Sequence, residues 1–286
     1  MMMLKLWLLG CACICSSKIL IPLGGKINLE ENNGIPGSLF FDKMSKPYQE
    51  RTYRHSVHAK DLKSFQVVVG ETDLWVCAES DLTKQVRDLV FMFRYQLESH
   101  IKHHPGFLTS LQPLDDDPYA PPIVRDMIRS TKQASVGPMA AVAGAIAQWV
   151  GESLLELSDQ VIVENGGDIY LTAKRPVTVS IFAGASPLSG KFGLRIPERQ
   201  MPLGICSSSA SVGHSLSRGI TDVVCLLSKS TALADAGATA LGNRVMRSAD
   251  LEHVAHWADK IGGIMGGTVI VKDTMANWGD IELVEV

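Results

Sequence analysis

An α+β fold built mainly on antiparallel sheet is what this sequence predicts, and three observations predict it. The strand-like runs QVIVEN, DIYLTA, VTVSIFA, KFGLRIP and PLGICSS follow one another between residues 160 and 208 with no helical period among them. Segments with three- and four-residue apolar spacing stand before and after that block, not between successive strands. The strict alternation of strand and helix that a doubly wound parallel sheet requires is missing.

Taken in order, residues 1–45 read as a non-core N-terminal extension, and residues 46–286 as a single domain. The opening MMMLKLWLLGCACICSSK has Lys5, a short apolar run and Leu8-Leu9-Gly10-Cys11, which superficially matches a lipoprotein cleavage box. That apolar run falls short of the ~7–15 residues of a secretory core segment. Residues 18–45 keep no sustained period, and Met44 precedes the first well-patterned segment, as a start codon assigned too early would leave it. The expectation is a cytoplasmic protein. An exported or lipid-anchored form is the alternative if residues 1–17 act as a signal.

The runs 51–59, 65–71 and 73–79 read as strands, the last two joined tightly around Gly70-Glu71-Thr72-Asp73. Ser80 then opens a helix in which Leu82, Val86, Leu89, Val90, Phe93 and Leu97 recur at helical steps. His100, His103 and His104 near its end are read as favourable charges at a helix C-terminus ahead of Pro105, in preference to ligands. A second helix starts at Pro121-Pro122. A third follows Val136-Gly137-Pro138 and is thin and apolar, with Ala140, Ala141, Ala143, Gly144, Ala145 and Ala147. Gly144 costs about 1 kcal/mol against Ala inside a helix, so something approaches closely there: packing on a sheet is the preferred reading, a ligand the other. After TDVVCLLS comes a second small-residue helix, STALADAGATALGNRV, then a polar segment and helix over 248–261. GGTVIVKD and GDIELVEV read as a closing hairpin with Ala276-Asn277-Trp278-Gly279 between them, and Gly262-Gly263 and Gly266-Gly267 as a turn before it.

A chain of 286 residues, 46% hydrophobic and 20% charged with a formal net charge of -3, can bury a sizeable core. It has no concentrated basic face for general nucleic-acid binding, and no apolar stretch near the roughly 18 residues of a membrane span. Cys11, Cys13 and Cys15 crowd the N-terminus, while Cys77, Cys206 and Cys225 lie in or beside apolar runs without zinc-site spacing. These last three read as buried thiols in a reducing compartment.

Three clusters could carry chemistry. The first is Glu164-Asn165-Gly166-Gly167-Asp168, whose glycines serve either a hairpin turn or the close approach of a backbone to a ligand. The second is the hydroxyl-rich loop from Cys206 through Ser207, Ser208, Ser209 and Ser211 to Gly213 and His214. The third places Asp235 and Thr239 four residues apart on one helix face. A carboxylate and a hydroxyl so placed suit a partial Mg²⁺ site, because magnesium takes few protein oxygens and leaves room for phosphate and water. Ordinary readings stand beside these: a solvated helix carboxylate, a Thr bonded back to its own helix, a flexible serine turn. The nucleophile elbow, the dinucleotide fingerprint and the P-loop are all missing.

In their order, NGGDI, a hydroxyl loop, a His and ADAxATAL resemble the ApbE superfamily, the FAD:protein FMN transferases, and most closely its short branch. The resemblance covers about residues 46–286 and includes ERTYR, LTSLQPL, APPIVRDMI, VGPMAAVAGAIAQ, SPLSGKFGL and LGNRV. It implies a T-fold-like sheet layered with helices, with FAD between strands and small-residue helices. It implies that Asn165, Gly166, Gly167, Asp168, Ser207, Ser208 and Ser209 contact the flavin nucleotide, and that Asp235 and Thr239 bind Mg²⁺. Asp168 and His214 would be catalytic, His214 accepting the proton of an acceptor protein's hydroxyl; a homo-oligomer is compatible with all of this. The transferases carry a HxxDPxxG segment well separated from the hydroxyl loop, whereas here that loop runs straight into Gly213-His214-Ser215-Leu216-Ser217-Arg218-Gly219 with no Asp-Pro pair. Three functions therefore stay open: a flavin-handling enzyme, a non-catalytic flavin or nucleotide carrier, and an enzyme for another small anion held by Ser207–Ser211 and Arg218.

Overall fold

The computed structural model describes residues 5–9, 61–210 and 219–286. The strand expected over 51–59 lies outside them, as do His214 and Arg218.

Strands β2 (Lys63–Val69) and β3 (Thr72–Ala78) form a hairpin that turns through Gly70 at φ +57°. Asp81, not Ser80, serves the start of helix α1 (Thr83–His103): its Oδ1 accepts from the Thr83 amide at 2.9 Å and from the Thr83 hydroxyl at 2.6 Å. Val86, Val90, Phe93 and Leu97 form the buried stripe that the spacing predicts. The four-residue α2 (Gly106–Thr109) and an irregular segment lead to α3 (Pro122–Ala134), which begins on a proline, where a missing N–H costs nothing. A 3₁₀ turn over Pro138–Ala141 then feeds α4 (Val142–Leu154).

Five strands follow without an intervening α-helix, as expected: β4 (Val161–Asn165), β5 (Asp168–Thr172), β6 (Val177–Phe182), β7 (Phe192–Ile196) and β8 (Leu203–Ser208). Next come β9 (Val223–Ser228), α5 (Thr231–Arg244), a 3₁₀ stretch over Ser248–His253, α6 (Val254–Ile261), β10 (Ile264–Val271), β11 (Thr274–Gly279) and β12 (Glu282–Glu285). Among the described residues these strands make an eight-stranded antiparallel sheet, in the order β11-β10-β9-β8-β5-β4-β3-β2, and a four-stranded sheet. The smaller sheet has the order β1-β6-β7-β12, with β1 (Lys5–Leu9) parallel to β6.

The chain end departs from the expected hairpin. β10 folds back on β11 through Lys272 and Asp273, so Ala276–Gly279 is strand, and β12 crosses to the other sheet to pair with β7. Lacking the β-branched alternation of its neighbours, TMANWG conceals a strand held by its partner. Gly266 and Gly267 likewise sit inside β10, where an added Cβ would meet the Trp278 carbonyl at 2.6 Å and the Leu226 side chain at 2.5 Å.

Alternation along the strands separates two cores. Val161, Val163, Tyr170, Val224 and Leu226 pack with the helices, while Ile162, Ile169, Leu171, Ile205, Cys225 and Leu227 pack against Val179, Ile181 and Leu194 of the smaller sheet. The large sheet is therefore covered on both faces, helices on one and strands on the other.

Candidate functional site

The site grows from the β4–β5 hairpin. Asn165 and Asp168 face each other across a two-residue loop, and Gly166 and Gly167 have φ of +68° and +103°. Two consecutive positive φ angles are what such a tight hairpin needs, so the turn by itself accounts for both glycines. Glu164 secures it by accepting from the Gly167 amide at 2.9 Å, and the Ser207 hydroxyl donates to the Gly167 carbonyl at 3.2 Å.

Register then assigns the faces. In β5, Ile169 and Leu171 point to the smaller sheet and Tyr170 to the helices, so Asp168 belongs to the helix side. Asn165 shares that side, where its amide nitrogen donates to the Ala143 carbonyl of α4 at 3.1 Å. In β8, Ile205 faces the smaller sheet and the Cys206 thiol reaches the Thr231 carbonyl of α5 at 3.3 Å. Asp168 and Cys206 are thus neighbours beneath α4 and α5. Ser208 follows Cys206 onto the same side, and Ser207 looks away.

Helices α4 and α5 cross above this point, and their small residues permit it. A Cβ on Gly144 would lie 2.5 Å from the Thr231 carbonyl oxygen and 2.8 Å from the Asp235 Cβ; one on Gly204 would lie 2.4 Å from the Thr231 Cα. The neighbour that Gly144 admits is therefore helix α5, not a sheet. The Gly144 amide donates to Asp235 Oδ2 at 2.9 Å. One turn on, Gln148 Oε1 accepts from the Thr231 amide at 2.8 Å, while the N-cap Ser230 hydroxyl accepts from Leu233 at 3.1 Å. The first turn of α5 is thus served by side chains.

Asp168 is fully buried and Asp235 is 2% exposed. Neither carboxylate oxygen of Asp168 has a hydrogen-bond partner among the described residues. Burial first, and the nearby Asp235 carboxylate second, hold the Asp168 carboxyl well above its ordinary value; the Cys206 thiol and Ser207 amide lie near enough to ease that only in part. The Cys206 thiol is pushed up by burial and then by the same two acids. Thr239, one turn beyond Asp235, is half-buried. The structure therefore brings together Asn165, Asp168 and Asp235, puts Ser208 on the same face of the sheet near Gly242, keeps Thr239 on the same helix as Asp235, and turns Ser207 toward the hairpin. Buried Ser209 is the first residue after β8, and Ala210 separates it from residues 211–218, which include His214 and lie outside the described residues.

Sequence reading missed Gln148 and the contact between Cys206 and Asp168. Gln148 stands four residues after Gly144, on the same face of a small-residue helix, and that spacing was its signal. A lone cysteine in an apolar strand gave none.

A family model described as AbpE bacteria matches residues 54–259. A UPF0280 protein of Methanocella arvoryzae is 39% identical over 218 residues, covering 76% of this chain and 89% of the relative. One from Methanocaldococcus jannaschii is 40% identical over 228 residues, covering 77% and 92%. Among solved structures, the apo flavinyl transferase ApbE of Pseudomonas stutzeri is similar with a TM-score of 0.49 at 13% identity, covering 76% of this chain and 93% of its own. The flavin transferase ApbE of Vibrio cholerae gives 0.47 at 13%, covering 78% and 96%.

Proposed function

Because this chain belongs to the AbpE bacteria family, within the ApbE-like superfamily, we propose that it handles a flavin nucleotide and cleaves the pyrophosphate of FAD with the help of Mg²⁺. The observation that carries this reading is Asp168: a fully buried carboxyl with two unpartnered oxygens, beside a second buried carboxylate. Hard oxygen donors left unsatisfied in this way fit a divalent cation, which would let both acids ionise.

In this reading Asp168, Asp235 and Thr239 hold the cation. The metal supplies charge neutralisation at the pyrophosphate. The Gly144 amide fixes Asp235, and the Gly166-Gly167 turn lies against the nucleotide with Asn165 and Ser208 beside it. His214 takes the proton as a hydroxyl oxygen bonds to the FMN phosphorus and the bond to the AMP phosphate breaks. A Ser or Thr of an acceptor protein would give FMN transfer, and water would give free FMN. The missing Asp-Pro pair after His214 favours a second reading, a carrier that binds the flavin uncleaved.

Titration of FAD into the apo protein, with and without Mg²⁺ and with AMP assayed in the same samples, decides among these. Binding with Mg²⁺-dependent AMP release supports the enzyme. Binding without AMP supports the carrier, and an absence of binding rejects both.

A further inference from the structure

A second group of ligating side chains lies at the far end of α1. His100 and His104 are one helical turn apart, with rings stacked at 4.4 Å between centroids and 22° between planes. The ligand atoms of His100, His104 and Asp117 all lie within 4.8 Å of one another. His104 is the C-cap of α1, outside helical backbone values, and its amide donates to the His100 carbonyl at 2.8 Å, which keeps the two imidazoles adjacent at an i, i+4 spacing able to serve one metal ion.

The surroundings aim these groups at one another. Phe107 and His100 pack nearly perpendicular, with ring centroids 5.0 Å apart and 83° between planes. Asp117 Oδ1 accepts from the Tyr119 amide at 2.9 Å, which orients the carboxylate and leaves Oδ2 available. The neighbouring candidates are engaged elsewhere: His103 Nδ1 bonds the Ser99 carbonyl at 2.8 Å, and Asp116 pairs with Lys132 at 3.1 Å. His100 and Asp117 are half-buried and His104 is exposed, so solvent can complete the shell. Residues 111–118, which bring Asp117 here, contain no helix or strand.

We propose that His100, His104 and Asp117 bind a divalent d-block cation of zinc's chemistry, separately from the Asp168–Asp235 centre, and that the ion clasps the 111–118 segment to the end of α1. Two imidazoles and one carboxylate suit Zn²⁺ or Co²⁺ and not Mg²⁺, which wants an all-oxygen octahedral shell. With three protein ligands the ion keeps a solvent position, so binding is reversible. The site does not depend on the flavin reading and stands or falls alone.

The test is titration of the full-length protein with Co²⁺ in excess Mg²⁺, followed by visible absorption and reversed with Zn²⁺. The expected result is one equivalent with d–d bands and no thiolate charge transfer, which separates this site from Cys11, Cys13 and Cys15. His104→Ala at an exposed position and the near-isosteric Asp117→Asn at a half-buried one should each weaken binding by at least the ~10–100-fold that loss of an outer-shell partner costs. His103→Ala and Asp235→Ala should leave it unchanged. No binding, thiolate bands alone, or equal losses in His103→Ala and His104→Ala would overturn the assignment.

Discussion

The Gly144 amide donates to Asp235 Oδ2 at 2.9 Å, and the side chain that residue 144 lacks would stand 2.8 Å from the Asp235 Cβ. One glycine thus sets both the spacing of α4 and α5 and the direction of the buried acid between them. Gly144→Ala must push α5 away, since its Cβ would lie 2.5 Å from a backbone oxygen. We expect a loss of about 1–3 kcal/mol, the usual cost of overpacking, despite the helix propensity gained. Urea unfolding at unchanged slope measures it, and an unshifted midpoint would show that the helices separate freely.

Asp168 makes stability depend on pH. Its carboxyl is raised in the fold, by burial and then by Asp235, from an ordinary value of 3.8. The folded state therefore holds this proton more tightly than the unfolded chain does. That contribution is whole below 3.8 and is lost as pH rises through the raised value. Without divalent cation, the parent should lose stability on going from pH 4 toward neutrality relative to Asp168→Asn, which has no proton to lose. Melting curves of both proteins across that range decide the matter, and Mg²⁺ should raise the parent's midpoint alone. Parallel pH profiles would remove Asp168 from the account.

The hairpin turn and any nucleotide contact can be separated at Gly166. Asn is at home in the first position of such a turn, so Gly166→Asn should leave the melting temperature nearly unchanged while placing a side chain at the loop. If the turn lies against the nucleotide, FAD affinity should fall with folding intact. Gly167→Val should cost stability as well, by at least the about 1–2 kcal/mol of a side chain forced to positive φ, because residue 167 sits at φ +103°. Calorimetric FAD titration of both variants distinguishes these effects.

Cys77, Cys206 and Cys225 should be inert to alkylation at neutral pH in the folded protein. All three are free and buried; burial pushes Cys77 to about 11 and holds Cys206 and Cys225 well above the ordinary thiol value. Thiolate, not thiol, is the nucleophile. Peptide mapping after brief iodoacetamide treatment should find them unlabelled until denaturant is added. Labelling of Cys206 in the native state would mean that the acid pair beside it is open to solvent.

Much of this was legible because the strands are bounded by punctuation and the helices by period. VIVEN-GG-DIYLT announces its hairpin through two glycines, and α1 its buried face through Val86, Val90, Phe93 and Leu97. The proximity of Asp168 to Asp235 was not legible, because it depends on which face each strand presents and on how closely α4 meets α5. Ser207 and Ser208 are indistinguishable in sequence, yet strand alternation sends them to opposite sides of the sheet. β11 escaped because its pairing, not its own composition, makes it a strand.

A sheet covered on both sides also arranges how substitutions combine. Gly204 and Ile205 are bonded neighbours, but one abuts Thr231 of α5 and the other lies in the core shared with the smaller sheet. Changes at two such positions share few partners and should come close to summing. Gly144 and Gly204, sixty positions apart, both abut Thr231, so a pair of changes there should deviate from the sum. Epistasis in this protein should run between the elements around α5, and only weakly along a strand.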